Sequence, residues 1–196
     1  ITAMQVVYFI SISLSAYVQK IKENKFDFPD YSERCPICHR KNCAVRIGYY
    51  HRWIFIFELM EKIRIPIARY LCKKTGKTFS LLPSQCIPYK LYDNDSLMFM
   101  AGKRHKENLP IDHVAAVFYA ITEVNISVST VFQYLLIFNL SHQKLVELID
   151  ELQHDDIGKT VKYINAYTGG VTSLAEHIYT QYNRCFLFGT PSQLKK

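Results

Sequence analysis

Of the six cysteines in this 196-residue chain, three crowd into residues 35–43 and a fourth stands at 72. Cys35-Pro-Ile-Cys38 is a knuckle, two thiols on one turn whose spacing lets both sulfurs reach a single ion. A second such corner would need a cysteine three residues after Cys72, but that position is Thr75, whose hard hydroxyl oxygen is a poor ligand for a soft-site metal. Cys43, five residues after Cys38, can take the vacant place. The ligand set expected is therefore Cys35, Cys38, Cys43 and Cys72, with Zn²⁺ as the cofactor; His39 is a second candidate with an awkward reach. Two other readings compete. One is a β module without metal, held by packing of Trp53, Tyr70 and Phe79. The other is a redox disulfide between Cys35 and Cys38, which lacks the βαβ surroundings that such pairs have. Cys86 and Cys185 read as lone buried cysteines.

The ligands must be carried on hairpins. Residues 45–57 and 62–71 mix β-branched, aromatic and cationic residues in the manner of strands; Gly48 suggests a bulge and Pro66 restricts the second strand to an edge or a strand start. Thr75-Gly76 supplies a tight turn, and Leu82-Pro83 and Ile87-Pro88 mark the exit from the module. Before it, residues 5–11 read as a strand and 13–24 as a helix with Leu14, Tyr17, Val18 and Ile21 on one face. After residue 94 the periodicity is helical: a short helix to Gly102, a polar run at 103–108, then a helix with Val114, Val117, Phe118 and Ile121 as its stripe. A break at 125–127 leads into a helix over 128–138 capped by Ser127. Another is expected over 141–153 with Ser141 as its cap, and two more over 159–168 and 172–186. The fold class expected is α+β, a small zinc-ribbon-like β module followed by an α-helical helix-turn-helix region. The domains expected are 1–33 (strand and helix), 34–92 (basic ribbon-like module), 93–190 (helices, with the helix-turn-helix at about 112–138) and a tail at 191–196.

The formal net charge of +7 is concentrated. Residues 34–106 hold fifteen Lys and Arg against four acids, while both flanks are slightly acidic. A basic module beside near-neutral ones is the footprint of a polyanion partner. Arg46, Arg52, Lys73, Lys74, Lys77, Lys103, Arg104 and Lys106 are the candidate phosphate contacts. Ser129, Thr130, Gln133 and Tyr134, with Ser127 at the cap, are the set that a second helix of a helix-turn-helix would turn toward base edges. Enzymatic signals are thin: no Gly-rich phosphate loop, no Gly-x-Ser-x-Gly, no His-Glu-x-x-His, and scattered acids. The apolar start is too short for a membrane span and lacks the marks of a secretory signal, so a cytoplasmic, membrane-free protein is expected.

Cys35-Pro-x-Cys38, Gly48-Tyr-Tyr-x-Arg52, Ile65-Pro-Ile-Ala-Arg-Tyr-x-Cys72, Gly76-Lys-Thr-Phe-Ser-Leu-Leu-Pro83 and Pro88-Tyr-x-x-Tyr92 resemble a bacterial family of uncharacterised, transposase-related proteins. That family carries a zinc-ribbon-like domain followed by a helix-turn-helix, and Ser129-Thr-Val with Phe132 and Phe138 falls where its second helix lies. The resemblance implies non-catalytic DNA binding on behalf of a mobile element, as a homodimer or beside a transposition-related protein. Thr75 in place of a cysteine, and a second helix without arginines, depart from the pattern. The alternatives are a protein-interaction adaptor that docks through the ribbon and its apolar helices, and an RNA-binding ribbon.

Overall fold

The computed structural model describes residues 4–167, 171, 173, 174 and 176–178. The chain forms two compact units. The first comprises residues 1–54 and 63–86, and the second residues 55–62 with 87–196. These boundaries differ from those expected at 33 and 92. The N-terminal strand joins the first unit's sheet, and the tip of the long hairpin belongs to the helical unit.

The first unit is built on a four-stranded sheet of order β1-β4-β3-β2, from β1 (Met4–Tyr8), β2 (Ala44–Ile56), β3 (Glu61–Cys72) and β4 (Thr78–Pro83). β3 and β4 are antiparallel, Tyr70 opposite Phe79, while β1 adds in parallel with Val6 opposite Leu81. Contrary to the expectation of an edge or a strand start, Pro66 lies within the interior strand β3, but β4 pairs only with residues 68–71 of that strand. The missing N–H at Pro66 therefore removes no bond to β4. The Pro66 carbonyl instead accepts a 2.8 Å hydrogen bond from the Tyr17 hydroxyl.

That tyrosine comes from α1 (Leu14–Lys22), which Ser13 caps by accepting from the Ala16 N–H. Leu14 and Tyr17 are buried as the spacing requires, and burial pushes the Tyr17 phenol well above its ordinary range. Tyr70 and Phe79 stack with ring centres 5.0 Å apart, and with Ala68 and Leu81 they form the core of one sheet face. Tyr8, Phe28 and Tyr31 pack over it. Trp53 takes no part: it is 57% exposed.

In the second unit the hairpin tip is fastened to the entry of α2 (Asn94–Ala101). Phe55 N–H donates to the Leu91 carbonyl, and Asp93 N–H donates to the Phe55 carbonyl. The Asp93 carboxylate accepts from Ser96 as the helix cap and from the Phe57 N–H, at 2.9 and 3.0 Å. Its burial pushes the carboxyl up to about 6. The polar run after α2 does not leave the helix; residues 102–106 continue it as a π-turn, α3 (Gly102–Lys106).

Two longer helices follow, α4 (Ile111–Thr122) and α5 (Val128–Val146), then α6 (Ile157–Ala166). Val114 and Phe118 of the expected α4 stripe are buried, but Ile121 is exposed. The expected break at Ser141 is absent. Nothing between 138 and 142 is Gly or Pro, and the Ser141 hydroxyl donates back to the Ile137 carbonyl at 3.0 Å inside one continuous helix. His142 Nε2 meets the His154 carbonyl at 3.2 Å and must donate to it, so Nδ1 accepts from the Thr160 hydroxyl at 2.8 Å. Most of the helix expected over 172–186 lies outside the described residues.

Tyr134, expected to face bases, is buried at 1% exposure. Its hydroxyl accepts from the Tyr92 N–H at 2.8 Å, and its ring meets Tyr92 edge to face. Tyr134→Phe should therefore cost about 1–3 kcal/mol by leaving a buried N–H unpaired. Phe132→Ala, at a 56% exposed position on the same helix, should stay within about 0.5 kcal/mol. Denaturant unfolding measures both.

Candidate metal centre and the basic corner around it

Cys35, Cys38, Cys43 and Cys72 meet at one end of the first unit's sheet, with their sulfurs all within 4.8 Å of one another. Cys35, Cys43 and Cys72 are buried and Cys38 half-buried, and Ile37 and Ala44 pack against the group. Local backbone chemistry produces this convergence. In the first knuckle the His39 N–H donates to the Cys35 carbonyl at 2.9 Å and the Cys35 N–H to the Arg40 carbonyl at 3.0 Å. His39 and Asn42 both adopt left-handed conformations, φ 57° and 52°, which turn the chain back so that Cys43 returns to Cys38. The Cys38 and Cys43 sulfurs stand 3.1 Å apart, and those of Cys43 and Cys72 4.0 Å.

The second corner closes on Gly76, whose φ of 68° suits a residue without a side chain and whose N–H donates to the Cys72 carbonyl at 2.8 Å. The Lys73 N–H reaches the Cys43 carbonyl at 2.8 Å and fastens the two corners together.

Thr75 therefore has a role other than ligation. Its hydroxyl beside Cys72 holds that thiol down at about 6; its N–H adds to the effect, as do the Cys38 and Cys35 sulfurs, while burial opposes it. Cys43 moves the other way, pushed far up chiefly by its contact with the Cys38 sulfur and then by burial. Four thiols this close cannot all ionise on their own, because each negative sulfur raises the cost of the next; a divalent cation at the centre removes that cost. For Zn²⁺, bonds of about 2.3 Å imply sulfur separations of about 3.8 Å, close to the Cys43–Cys72 distance and somewhat wider than the Cys38–Cys43 one. His39 is exposed in its left-handed turn and does not belong to the set. Among the described residues this is the only group of three or more such side chains able to share an ion.

Cations surround the corner. Arg34, Arg40, Lys73, Lys74 and Lys77 are all exposed on the two knuckles, and Lys41 is ion-paired with Glu33. Arg34 and Arg40 were not among the candidate contacts, although their places beside Cys35 and Cys38 were a signal for them. Of the other candidates, Arg46 lies on β2 with its guanidinium 4.8 Å from the Phe28 ring centre, and Arg52 is half-buried with one guanidinium nitrogen enclosed.

Lys103, Arg104 and Lys106 belong to the second unit. Lys103 pairs with Glu107 at 2.8 Å and Arg104 donates to the Leu109 carbonyl at 3.0 Å. Lys106 is exposed and lines a cavity of about 560 Å³ with Glu58, Asp95 and Phe99. On α5, Ser129 is exposed, Thr130 half-buried and bonded to Ser127, and Gln133 accepts from Lys90 at 2.7 Å. Between them Val128, Phe132 and Leu136 form an exposed apolar stripe at four-residue spacing.

Cys86 is buried, and Cys185 lies outside the described residues. Comparison with family models, with curated proteins and with solved structures gives no match to this chain.

The sulfur spacing makes one outcome specific. In chain treated with a chelator, a two-electron thiol oxidant such as diamide should take one hydrogen from each of Cys38 and Cys43 and join them first. Peptide mapping by mass should find that pair ahead of Cys35–Cys38, and Cys43→Ser should abolish it.

Proposed function

We propose that this chain is a non-catalytic DNA-binding protein, transposase-related as its ribbon motifs suggest, whose basic corner is held in shape by one Zn²⁺. The observation that supports this best is the gathering of exposed Arg34, Arg40, Lys73, Lys74 and Lys77 around a four-cysteine cluster. An all-thiolate tetrahedral set favours Zn²⁺ among common divalent ions, and four protein ligands leave it no open position for a substrate. The ion then acts structurally. It fixes two turns whose cations neutralise backbone phosphates and release counterions.

The helical unit contributes less to DNA than a helix-turn-helix would. Ser129 remains available, Gln133 is shared with Lys90, and Tyr134 is committed to the core. The stripe of Val128, Phe132 and Leu136 favours a second reading for that unit, contact with a protein partner, which is the adaptor role.

Two measurements test the main reading together. Purified protein should hold one zinc per chain, and Cys43→Ser and Cys72→Ser should each lose it; a wild type without zinc rejects the metal. Affinity for a mixed-sequence duplex should fall steeply between 50 and 200 mM salt, and Lys73→Ala/Lys74→Ala/Lys77→Ala should flatten the log–log slope by about three. No duplex affinity at low salt rejects the function, and retention of a protein partner without nucleic acid would then support the adaptor.

A further inference from the structure

β2 is an edge strand of the first unit's sheet, and its face is unusual for a solvated edge. Trp53 and Tyr49 are 57% and 41% exposed, with exposed His51 between them. Alternation along a strand puts these three side chains on one face, about 6.7 Å apart. Gly48, at φ 135°, interrupts the alternation just before them. Arg46 consequently reaches the same side: its guanidinium donates to the Tyr49 hydroxyl at 2.9 Å and lies over the Phe28 and Tyr49 rings at 4.8 and 5.6 Å. β2 carries no carboxylate, and Arg64 is exposed on the neighbouring strand.

Arg46 also borders a cavity of about 370 Å³ whose walls include Phe28, Tyr31 and Tyr70, with Asp27 and Asp30 at its rim. That volume suits one small planar group. The rings offer it stacking surfaces, Arg46 a donor for acceptor edges, and the carboxylates acceptors for exocyclic amines.

We propose that this face of β2 is a stacking platform for single-stranded DNA, with Trp53 and Tyr49 as the rings on which bases lie and Arg46 and Arg64 as the cations that follow the strand. The proposal rests on the DNA-binding reading and adds to it a second mode, distinct from the phosphate grip of the cysteine corner. Exposed aromatic rings and cations on a strand that itself carries no acid match the two chemistries of an unpaired strand: a π-face on every base and a charge on every phosphate. Trp53 and Tyr49, four residues apart, stand about 13 Å apart along the strand, four times the rise of about 3.4 Å between stacked nucleotides, so every fourth base meets a ring, or every second base of a strand stretched twofold. A duplex hides those base faces, so the platform discriminates for the unpaired form.

Trp53 is the chain's single tryptophan, so its fluorescence reports this face alone. The whole, metal-loaded chain is titrated with dT20, with rU20 and with a mixed-sequence duplex. Saturable quenching by dT20 is expected. Tyr49→Ala should weaken dT20 binding roughly ten-fold, with Trp53→Ala, followed by anisotropy of a labelled strand, doing the same. Both should leave duplex affinity within two-fold, and Trp53→Phe should retain dT20 binding, showing that the fold persists. Quenching by dT20 without any duplex binding would remove the corner's role and leave the platform standing. Duplex binding without dT20 quenching, or unchanged dT20 affinity in both alanine variants, overturns the platform and leaves the corner. Tighter quenching by rU20 than by dT20 overturns the assignment to DNA.

Discussion

The convergence of four thiols at one end of the sheet is the constraint on which the first unit depends. Mutual repulsion of thiolates opposes it, and backbone chemistry enforces it: two left-handed residues, His39 and Asn42, bend the first knuckle back on itself, and the Lys73 amide fastens the second to Cys43. A cation at the centre would turn the repulsion into attraction, and Thr75 beside Cys72 holds that thiol below its ordinary range. The exposed cations of both knuckles are carried wherever those turns go. Shape and charge at this corner are therefore one device, since loosening the turns would scatter the lysines.

The sheet behind the corner makes a second division. Tyr70 and Phe79 stack at 5.0 Å and commit one face to core, whereas Trp53, three-quarters of the way along β2, remains outside it. Gly48 stands at the change, reversing which residues face which side so that Arg46 and Tyr49 meet. Of the three aromatics that a module held by packing alone would use, Tyr70 and Phe79 are inside and Trp53 is not. Here the largest is spared for the surface, which is compatible with a corner stabilised by ligation instead.

The helical unit has a different logic. A buried tyrosine hydroxyl and a buried aspartate each satisfy main-chain N–H groups where the chain enters α2, and a cluster of Phe55, Phe57, Tyr92, Phe99 and Phe118 surrounds them. Three of its exposed apolar residues, Val128, Phe132 and Leu136, are ordered along α5, and they offer hydrophobic contact there.

Cysteine spacing determined which four thiols gather, because a thiol five residues past a knuckle has only a short loop to reverse, and the nearest other sulfur lies on the paired strand. Local patterning likewise determined Ser127 as a cap, the helix of α1 (expected over 13–24) to within two residues, and the break between α4 and α5, since caps and periodicity act within a few residues. Tertiary structure decided the rest. Tyr134 has the composition of a groove-reading residue, and only the arrival of Tyr92 from forty-two residues away makes it core. Ser141 looks like a cap, but an available Ile137 carbonyl lets the helix run on. Whether β1 stands apart or pairs with β4, and whether an aromatic on β2 packs or faces water, depends on partners distant in the chain. Periodicity within a strand cannot choose between its two faces until the sheet has one side covered.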